Sequence, residues 1–218
     1  MKIRIASRQS PLALYQAELF AKMLKGIKTE IIKIRSEGDM TSQPLHKIGG
    51  KGLFVNSLEE ALKKDEADIA VHSLKDVPAK LNKSFEIAGV LDRESPLDLF
   101  ISKKNLKLNQ LPEGSTVLTS SPRRRAQLLN IRQDLIIRPV RGNIETRIKK
   151  AKTDDADGLI VAEAAINRLG ISLESFERLS IKKMLPAASQ GFIGLECLKD
   201  NIAMKKVISS VTCKKNLL

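Results

Sequence analysis

The chain has 218 residues and a formal net charge of +13, with 42% hydrophobic and 29% charged residues. This composition is typical of a soluble globular protein, and no apolar run reaches the roughly 20 residues that a membrane span requires. The charge indicates an anionic partner: nucleic acid, a membrane surface or a polyanionic small molecule. Aromatic residues make up only 3%, which argues against single-stranded nucleic acid, because its binding usually depends on stacking. The N-terminus lacks the apolar core of a signal peptide, so we expect a cytoplasmic protein.

The only cysteines are Cys197 and Cys213, and the only histidines are His46 and His72. Neither residue type has the spacing of metal ligands or of a disulfide framework. We therefore expect no metal site, and we expect both cysteines to be reduced and structural.

The first predicted strand, Lys2–Ala6, is followed by Arg8 and a predicted helix start at Ser10-Pro11. Serine suits the N-cap position and proline the first helical position. Apolar residues at helical spacing predict that the helix continues to about Leu24: Leu12, Tyr15, Leu19 and Met23. An arginine beside a helix N-terminus predicts a cradle for a carboxylate or phosphate.

A second predicted strand, Thr29–Ile34, leads into the polar segment Ser36–Pro44, which we expect to be a mobile loop. Lys47–Phe54 follows, with three glycines and two lysines. Such a segment lets the backbone approach an anion closely, although an ordinary turn explains it equally well. Its spacing is not that of a Walker motif. The next helix is predicted over about Leu53–Lys63.

A short apolar run, Ala67–Val71, predicts a buried strand. Ser73, Lys75 and Asp76 come just after it, and Pro78 then blocks regular structure. Ligands of open α/β sheets bind beyond strand ends. The carboxylate of Asp76 beside the ammonium of Lys75 is therefore a candidate acid/base pair.

The second half of the chain repeats this pattern. Predicted strands over Glu86–Leu91 and Leu99–Ser102 flank a polar segment, Asp92–Pro96, which we interpret as a crossing between two domains. A strand over Thr116–Thr119 then leads to Ser121-Pro122, as the first strand leads to its own Ser-Pro helix start. The repeat suggests two related α/β domains, although a match this short also arises by chance.

Arg123, Arg124 and Arg125 open the helix that follows Ser121-Pro122. Charge runs are usually solvated faces. Cations at a helix N-terminus, however, oppose the macrodipole by roughly 0.3–1 kcal/mol each. Three arginines at one helix N-terminus therefore favour an anion bound between them, which predicts a ligand site.

Further strands are predicted at 135–140, 158–162 and 192–196, and helices at 144–152 and 203–211, with Asn143 as an N-cap and Gly170 closing another helix. Basic side chains recur at strand ends or helix starts, with Asp76 as the conspicuous acid among them: Arg8, Lys47, Lys51, Lys75, Arg123, Arg124, Arg141, Arg147 and Arg168. We expect a two-domain α/β protein to gather them in one cleft that binds carboxylates or phosphates.

The motifs occur in a recognisable order: Arg8–Leu14, Gly49–Phe54, Val71–Pro78, Thr119–Arg124, Arg141–Asn143, and Gln190-Gly191 with Gly194–Cys197. Together they resemble the porphobilinogen deaminase (hydroxymethylbilane synthase) family over nearly the whole chain. The resemblance implies two domains like those of type II periplasmic binding proteins, with the active-site cleft between them. We place domain 1 at residues 1–93 and 192–212 and domain 2 at residues 96–188.

The resemblance implies a transferase of porphyrin and heme biosynthesis, which condenses porphobilinogen into the linear tetrapyrrole hydroxymethylbilane and releases ammonia. Such a polycarboxylate substrate accounts for the basic charge without nucleic acid or membrane, and we expect a monomer. Asp76 resembles the catalytic carboxylate. The implied ligands of the dipyrromethane cofactor are Lys51, Ser73, Lys75, Thr119, Ser121, Arg123, Arg124, Arg141 and Arg147. The implied substrate-binding residues are Arg8, Ser10, Lys47, Phe54, Arg168 and Gln190. The segment Asp39–Gln43 resembles the family's mobile lid.

The family's third domain holds dipyrromethane through a thioether to the cysteine of a Gly-Gly-Cys loop. We expect this domain to be absent, with residues 213–218 forming a tail where it would follow. Cys197 matches a different family position, and Cys213 lacks the context of an attachment loop. Three explanations for this absence stay open: a truncated or frameshifted reading frame, a deliberate two-domain form, or a degenerate protein. We rank an enzyme first, a non-catalytic binder of pyrrole polycarboxylates second, and a nucleic-acid-binding protein third.

Overall fold

The computed structural model describes residues 2–35, 52–153 and 155–212, and describes the backbone alone at Leu53 and Phe54. The chain forms two compact units. The first unit comprises Met1–Glu94 and Gly191–Leu218, and the second comprises Ser95–Gln190. Each unit has its own sheet and its own hydrophobic core.

The first unit contains five strands in one mixed sheet. They are β1 (Lys2–Arg8), β2 (Lys28–Ile34), β3 (Ile69–Ser73), β4 (Phe85–Val90) and β10 (Ile193–Leu198). Their order is β2-β1-β3-β10-β4. β1 pairs in parallel with β2 and β3, whereas β10 runs antiparallel to β3 and β4. The helices of this unit are α1 (Pro11–Met23), α2 (Gly52–Lys63) and α6 (Ile202–Val211).

The second unit contains another five-stranded mixed sheet. Its strands are β5 (Asp98–Ser102), β6 (Thr116–Leu118), β7 (Ile136–Arg138), β8 (Gly158–Ala162) and β9 (Glu177–Leu179). Their order is β7-β6-β8-β5-β9. β6 pairs in parallel with β7 and β8, and β5 runs antiparallel to β8 and β9. The helices are α3 (Pro122–Ile131), α4 (Ile144–Thr153) and α5 (Glu163–Arg168).

The two sheets share one arrangement, in which four strands run in the same direction and the fourth strand in the order, β10 or β5, runs antiparallel to them. The helix that follows the central parallel strand starts in the same way in each unit. Ser10 Oγ accepts a hydrogen bond from Ala13 N, and Ser121 Oγ accepts one from Arg124 N. Each serine cap precedes a proline in the first turn. The internal repeat suggested by the two Ser-Pro motifs is therefore present in the fold.

Helices cover both faces of each sheet. In the first unit, α1 and α6 pack in one core and α2 packs in another. Gly89 lets α6 approach β4, because a Cβ atom there would lie 2.0 Å from Thr212 Oγ1 and 2.5 Å from Ile208 Cγ2. The longest helix in the described ranges, α1, has 13 residues. No helix among the described residues is long and apolar enough to cross a membrane.

The apolar spacing of α1 predicts the extent of the helix but not its buried side chains. Gln16 and Phe20 are buried, whereas Tyr15 is 39% exposed. Phe20 packs in the core against the sheet. Gln16 is buried although it is polar, because its amide has a hydrogen-bond partner in Ser73.

Most predicted strands are present, with boundaries that differ by one or two residues. β8 has the predicted bounds, whereas β3 begins at Ile69 and ends at Ser73, two residues later than predicted. The three-residue strand β9 was not predicted. It is too short to show an alternating pattern and forms because it pairs with the edge of β5.

Cys197 lies on β10 and is fully buried. Burial, with the nearby charge of Glu86, raises the pKa of its thiol from 9.0 to about 11. Because each pKa unit is a factor of ten, the thiolate population falls about a hundredfold. We expect iodoacetamide at pH 8 to leave Cys197 unmodified in the folded protein and to modify it in urea. Peptide mass spectrometry measures this, and rapid alkylation of the folded protein would show the expectation to be wrong.

Candidate active site

A pocket in the first unit lies beyond the carboxyl ends of β1 and β3. β1 ends at Arg8, α1 starts directly after it, and β3 ends at Ser73. The polar residues that line the pocket are Arg8, Ser10, Gln16, His72, Ser73 and Asp76. The fold therefore brings residues from two separate sequence motifs into one pocket.

Asp76 is positioned by a 3₁₀ turn, Leu74–Asp76, rather than by an irregular loop. Leu74 N donates to Phe192 O at 3.1 Å, and Val77 N donates back to Leu74 O at 3.1 Å. Pro78 follows and prevents the turn from continuing as a helix. The Asp76 side chain is half-buried. Among the residues that the structure describes, no hydrogen bond or ion pair to its carboxylate is found, so both oxygens can accept from a ligand.

Gln16 is a pocket residue that sequence reasoning missed. Its Nε2 lies 3.0 Å from Ser73 Oγ, and its Oε1 lies 3.1 Å from the same hydroxyl oxygen. The pair ties the start of α1 to the end of β3. The sequence signal that could have identified Gln16 is its position directly after Tyr15, on the side of the helix that faces the sheet.

In the second unit, a single buried carboxylate holds the arginines that begin α3. Arg123 Nη2 lies 2.7 Å from Asp98 Oδ2, and Arg124 Nη2 lies 2.7 Å from Asp98 Oδ1. Asp98 is fully buried. The anion that the arginine run favours is therefore supplied, at least in part, by the protein itself. Asp98 was missed because it lies 25 residues before Arg123 and appears in the sequence as an ordinary strand start.

The electrostatics of this pair of arginines are dominated by Asp98. Burial alone would raise the pKa of the Asp98 carboxyl, but Arg124 and Arg123 together outweigh burial and hold that pKa below its usual value. Arg124 also donates through Nη1 to Ile160 O at 3.2 Å. Its Nε is buried and has no hydrogen-bond partner in the part of the chain that the structure describes. One donor of this buried guanidinium is therefore unsatisfied among the described residues.

Arg141 lies in the turn that precedes α4, and Arg147 lies in the first half of α4 itself. Gly142 has a φ of +114°, a conformation that glycine adopts without strain. Arg147 Nε donates to Gly142 O at 2.7 Å and so closes the turn that begins at Arg141. Both arginine side chains are half-buried. Thr119 Oγ1 accepts from Ser121 N at 3.2 Å, which orders the loop before α3.

Gln190 and Arg168 occupy different surroundings from each other. Gln190 is buried and donates to Pro96 O at 2.6 Å and to Asp98 Oδ1 at 2.9 Å. Together with Arg123 and Arg124 it forms the hydrogen-bonded group around Asp98, here called the Asp98 network. Arg168 is half-buried at the last residue of α5. Gly170 follows in the left-handed region at φ +61°, as predicted for a helix C-terminus. Contact of either side chain with substrate stays a prediction.

Residues 3–206 match the family model described as "Porphobilinogen deaminase, dipyromethane cofactor binding domain". That span covers well over half of the chain. The chain belongs to the porphobilinogen deaminase family. Porphobilinogen deaminase of Francisella tularensis subsp. tularensis is 43% identical over 220 aligned positions, which cover 99% of this chain and 73% of the relative. The family resemblance of the sequence motifs is therefore confirmed.

Solved structures show the same fold at low sequence identity. A probable amino-acid ABC transporter extracellular-binding protein from Bacillus subtilis has a TM-score of 0.54 and 15% identity, covering 97% of this chain and 90% of that one. A nutrient-binding protein from Burkholderia cenocepacia, solved with methionine, has a TM-score of 0.56 and 14% identity, covering 94% and 90%. The fold of this porphobilinogen deaminase family member is thus the two-domain α/β fold of type II periplasmic binding proteins.

Several residues that the porphobilinogen deaminase resemblance selects lie outside the described residues. They are Lys47, Lys51, the Asp39–Gln43 segment, the side chain of Phe54, and Cys213. The described part of the family's motifs falls into two groups, the Asp76 pocket in the first unit and the Asp98 network in the second. Their assembly into one cleft stays a prediction.

Proposed function

We propose that this chain is a hydroxymethylbilane synthase, which joins porphobilinogen units head to tail and releases ammonia at each addition. Family membership supports the reaction. The single structural observation that carries the assignment of the chemistry is Asp76, a carboxylate without a protein partner in the described ranges, in a pocket with Arg8 and Ser10. No other acidic side chain lines that pocket among the described residues.

The substrate suits the charge of these residues. Each pyrrole ring carries an acetate and a propionate, so a growing chain is a polyanion that arginine binds with paired hydrogen bonds. We propose Arg8, Ser10 and Arg168 as groups that hold substrate carboxylates. In the first unit, Arg8 and Ser10 lie where β1 gives way to α1, beside the backbone N–H groups of a helix start.

Asp76 is proposed to act on the ring rather than on its carboxylates. Loss of ammonia from the aminomethyl group of porphobilinogen leaves an azafulvenium-like cation, with positive charge on the pyrrole. An ionised carboxylate that accepts from the pyrrole N–H stabilises this charge as it develops. The 3₁₀ turn fixes Asp76 before the reaction, so little reorganisation is needed when the cation forms.

The donor set of the second unit fits the dipyrromethane cofactor of the family. The buried Arg124 Nε has no partner among the described residues, and a cofactor carboxylate would satisfy it. The residues of the second unit that we propose to hold the group are Thr119, Ser121, Arg123, Arg124, Arg141 and Arg147. Ser73 and Lys75 are the proposed ligands from the first unit. When bound, dipyrromethane supplies the ring carbon to which the first substrate is joined. Asp98 keeps Arg123 and Arg124 in place for this contact.

Incubation with porphobilinogen tests the proposal. We expect uroporphyrin to appear after acid oxidation of the reaction mixture, because oxidation converts the cyclised product into a coloured macrocycle. Saturable binding of porphobilinogen without product, even after addition of preformed bilane, would instead identify a non-catalytic binder. A cytoplasmic location, a monomeric state and the lack of a nucleic-acid partner stay predictions.

A further inference from the structure

Three ionisable side chains are buried together behind the pocket. His72 Nε2 lies 2.8 Å from Glu196 Oε2, and the two residues are 6% and 0% exposed. Glu59 on α2 is 9% exposed, and its carboxyl interacts electrostatically with both of them. The other buried side chains of α2 that the structure describes are all apolar: Val55, Leu58, Ala61 and Leu62.

This cluster is costly to bury. Glu196 Oε1 is buried and has no hydrogen-bond partner within the described ranges. Burial and the charge of Glu196 raise the pKa of Glu59, which favours its neutral form, while Lys63 opposes this. A buried ion pair adds little stability compared with apolar packing of the same volume. Groups of this kind are candidates for function when they border a reactive site.

His72 does border the site, because it lines the same pocket as Asp76. The ionisable residues that line the pocket, among those described, are Arg8, His72 and Asp76. Arg8 is always protonated and cannot accept a proton. Asp76 must stay ionised to stabilise the cation, so it cannot retain a proton during the same step. Among the described lining residues, His72 is then the base that is left.

We propose that His72, held by Glu196, accepts the proton that ring coupling releases in this pocket. The inference rests on the proposed function. A carbon–carbon bond forms between the exocyclic carbon of one unit and the ring α-carbon of the next, and the α C–H bond breaks. The electron pair of that bond restores the pyrrole ring. The proton passes to His72, directly or through one water, and then to the ammonia already released when the cation formed, which leaves as ammonium.

The hydrogen bond between His72 and Glu196 determines which ring nitrogen of His72 is available to the pocket. With Nε2 engaged by Glu196, Nδ1 is the ring nitrogen that can exchange a proton with the pocket. The ionised Glu196 accepts from Nε2–H and stabilises the imidazolium once it forms. His72 is therefore the proton acceptor, and Glu196 is a positioning residue that orients its ring.

Rates measured across pH 5–9 test this assignment. His72→Gln should lower kcat by about 10²–10⁴-fold and remove the loss of rate at low pH that protonation of the base causes. Glu196→Gln should lower kcat with little change in KM, since the imidazolium loses its stabilising charge. Glu60→Gln, an exposed glutamate on α2, is the charge-matched control and should leave the profile unchanged.

Nuclear magnetic resonance of ¹⁵N-labelled histidine observes the protonation of His72 directly, without substrate turnover. The chain has two histidines, so His46→Gln leaves a single imidazole signal. We expect the neutral ring of His72 to carry its proton on Nε2, and its titration to coincide with the low-pH limb of the rate.

The outcomes separate the two proposals. If the natural protein consumes porphobilinogen while His72→Gln keeps both its rate and its low-pH limb, the inference is wrong and the proposed function stands. A His72 that keeps one protonation state across the range where the rate changes would overturn it equally, even if His72→Gln does not fold. If the natural protein does not consume porphobilinogen, both proposals fall.

Discussion

Asp76→Asn is expected to lower kcat for porphobilinogen consumption by about 10²–10³-fold with little change in KM. The amide keeps the size of the side chain but removes the negative charge that stabilises the azafulvenium-like cation. Substrate carboxylates are held by basic groups elsewhere, so binding is largely retained. Steady-state kinetics with porphobilinogen measures both constants.

The control for this change is another aspartate of the first unit. Asp200 is exposed and lies away from the pocket residues, so Asp200→Asn should keep the rate of the natural protein. Thermal unfolding should be similar for both variants, because the Asp76 side chain makes no hydrogen bond or ion pair among the described residues. An Asp76→Asn protein with nearly full kcat would remove Asp76 from the chemistry.

Asp98→Asn should cost about 3–5 kcal/mol of unfolding free energy, because it leaves the buried Arg124 without its counter-charge. Gln190 and Arg123 lose the same carboxylate. Urea unfolding followed by circular dichroism measures the loss. Asp155→Asn, an exposed aspartate of the same unit, is the matched control and should change stability by no more than about 0.5 kcal/mol.

The same variant should also change how stability depends on pH. The pKa of Asp98 is lower in the folded protein than in the unfolded chain. The stability that Asp98 contributes is therefore fully present above its pKa in the unfolded chain, about 4. That stability is lost as the pH falls through its lower pKa in the folded protein. Asp98→Asn should lose part of the acid sensitivity of the natural protein. An equal fall in stability of both proteins between pH 4 and pH 2 would contradict this role.

The sequence predicts those features of the fold that depend on local signals. Ser10-Pro11 and Ser121-Pro122 place the start of α1 and α3, because a serine cap and a proline in the first turn act within a few residues. Gly158–Ala162 is a buried apolar run whose ends coincide with β8. Pro78 correctly ends the segment that carries Asp76.

Local signals do not predict which residues far apart in the sequence contact each other. The arginines of α3 are paired with Asp98, far away in the sequence, and no local pattern marks that aspartate as their partner. Gln16 was missed because a polar residue on a helix is usually exposed, whereas here Ser73 satisfies its amide. His72 and Glu196 are 124 positions apart and meet only because β3 pairs with β10.

Ammonia release from porphobilinogen tests the central claim most directly. With purified protein and porphobilinogen, we expect one ammonia for each porphobilinogen consumed, measured with a coupled dehydrogenase assay, and a rate that falls by about 10²–10³-fold in Asp76→Asn. Saturable binding of porphobilinogen with no ammonia released above a protein-free control would contradict the account.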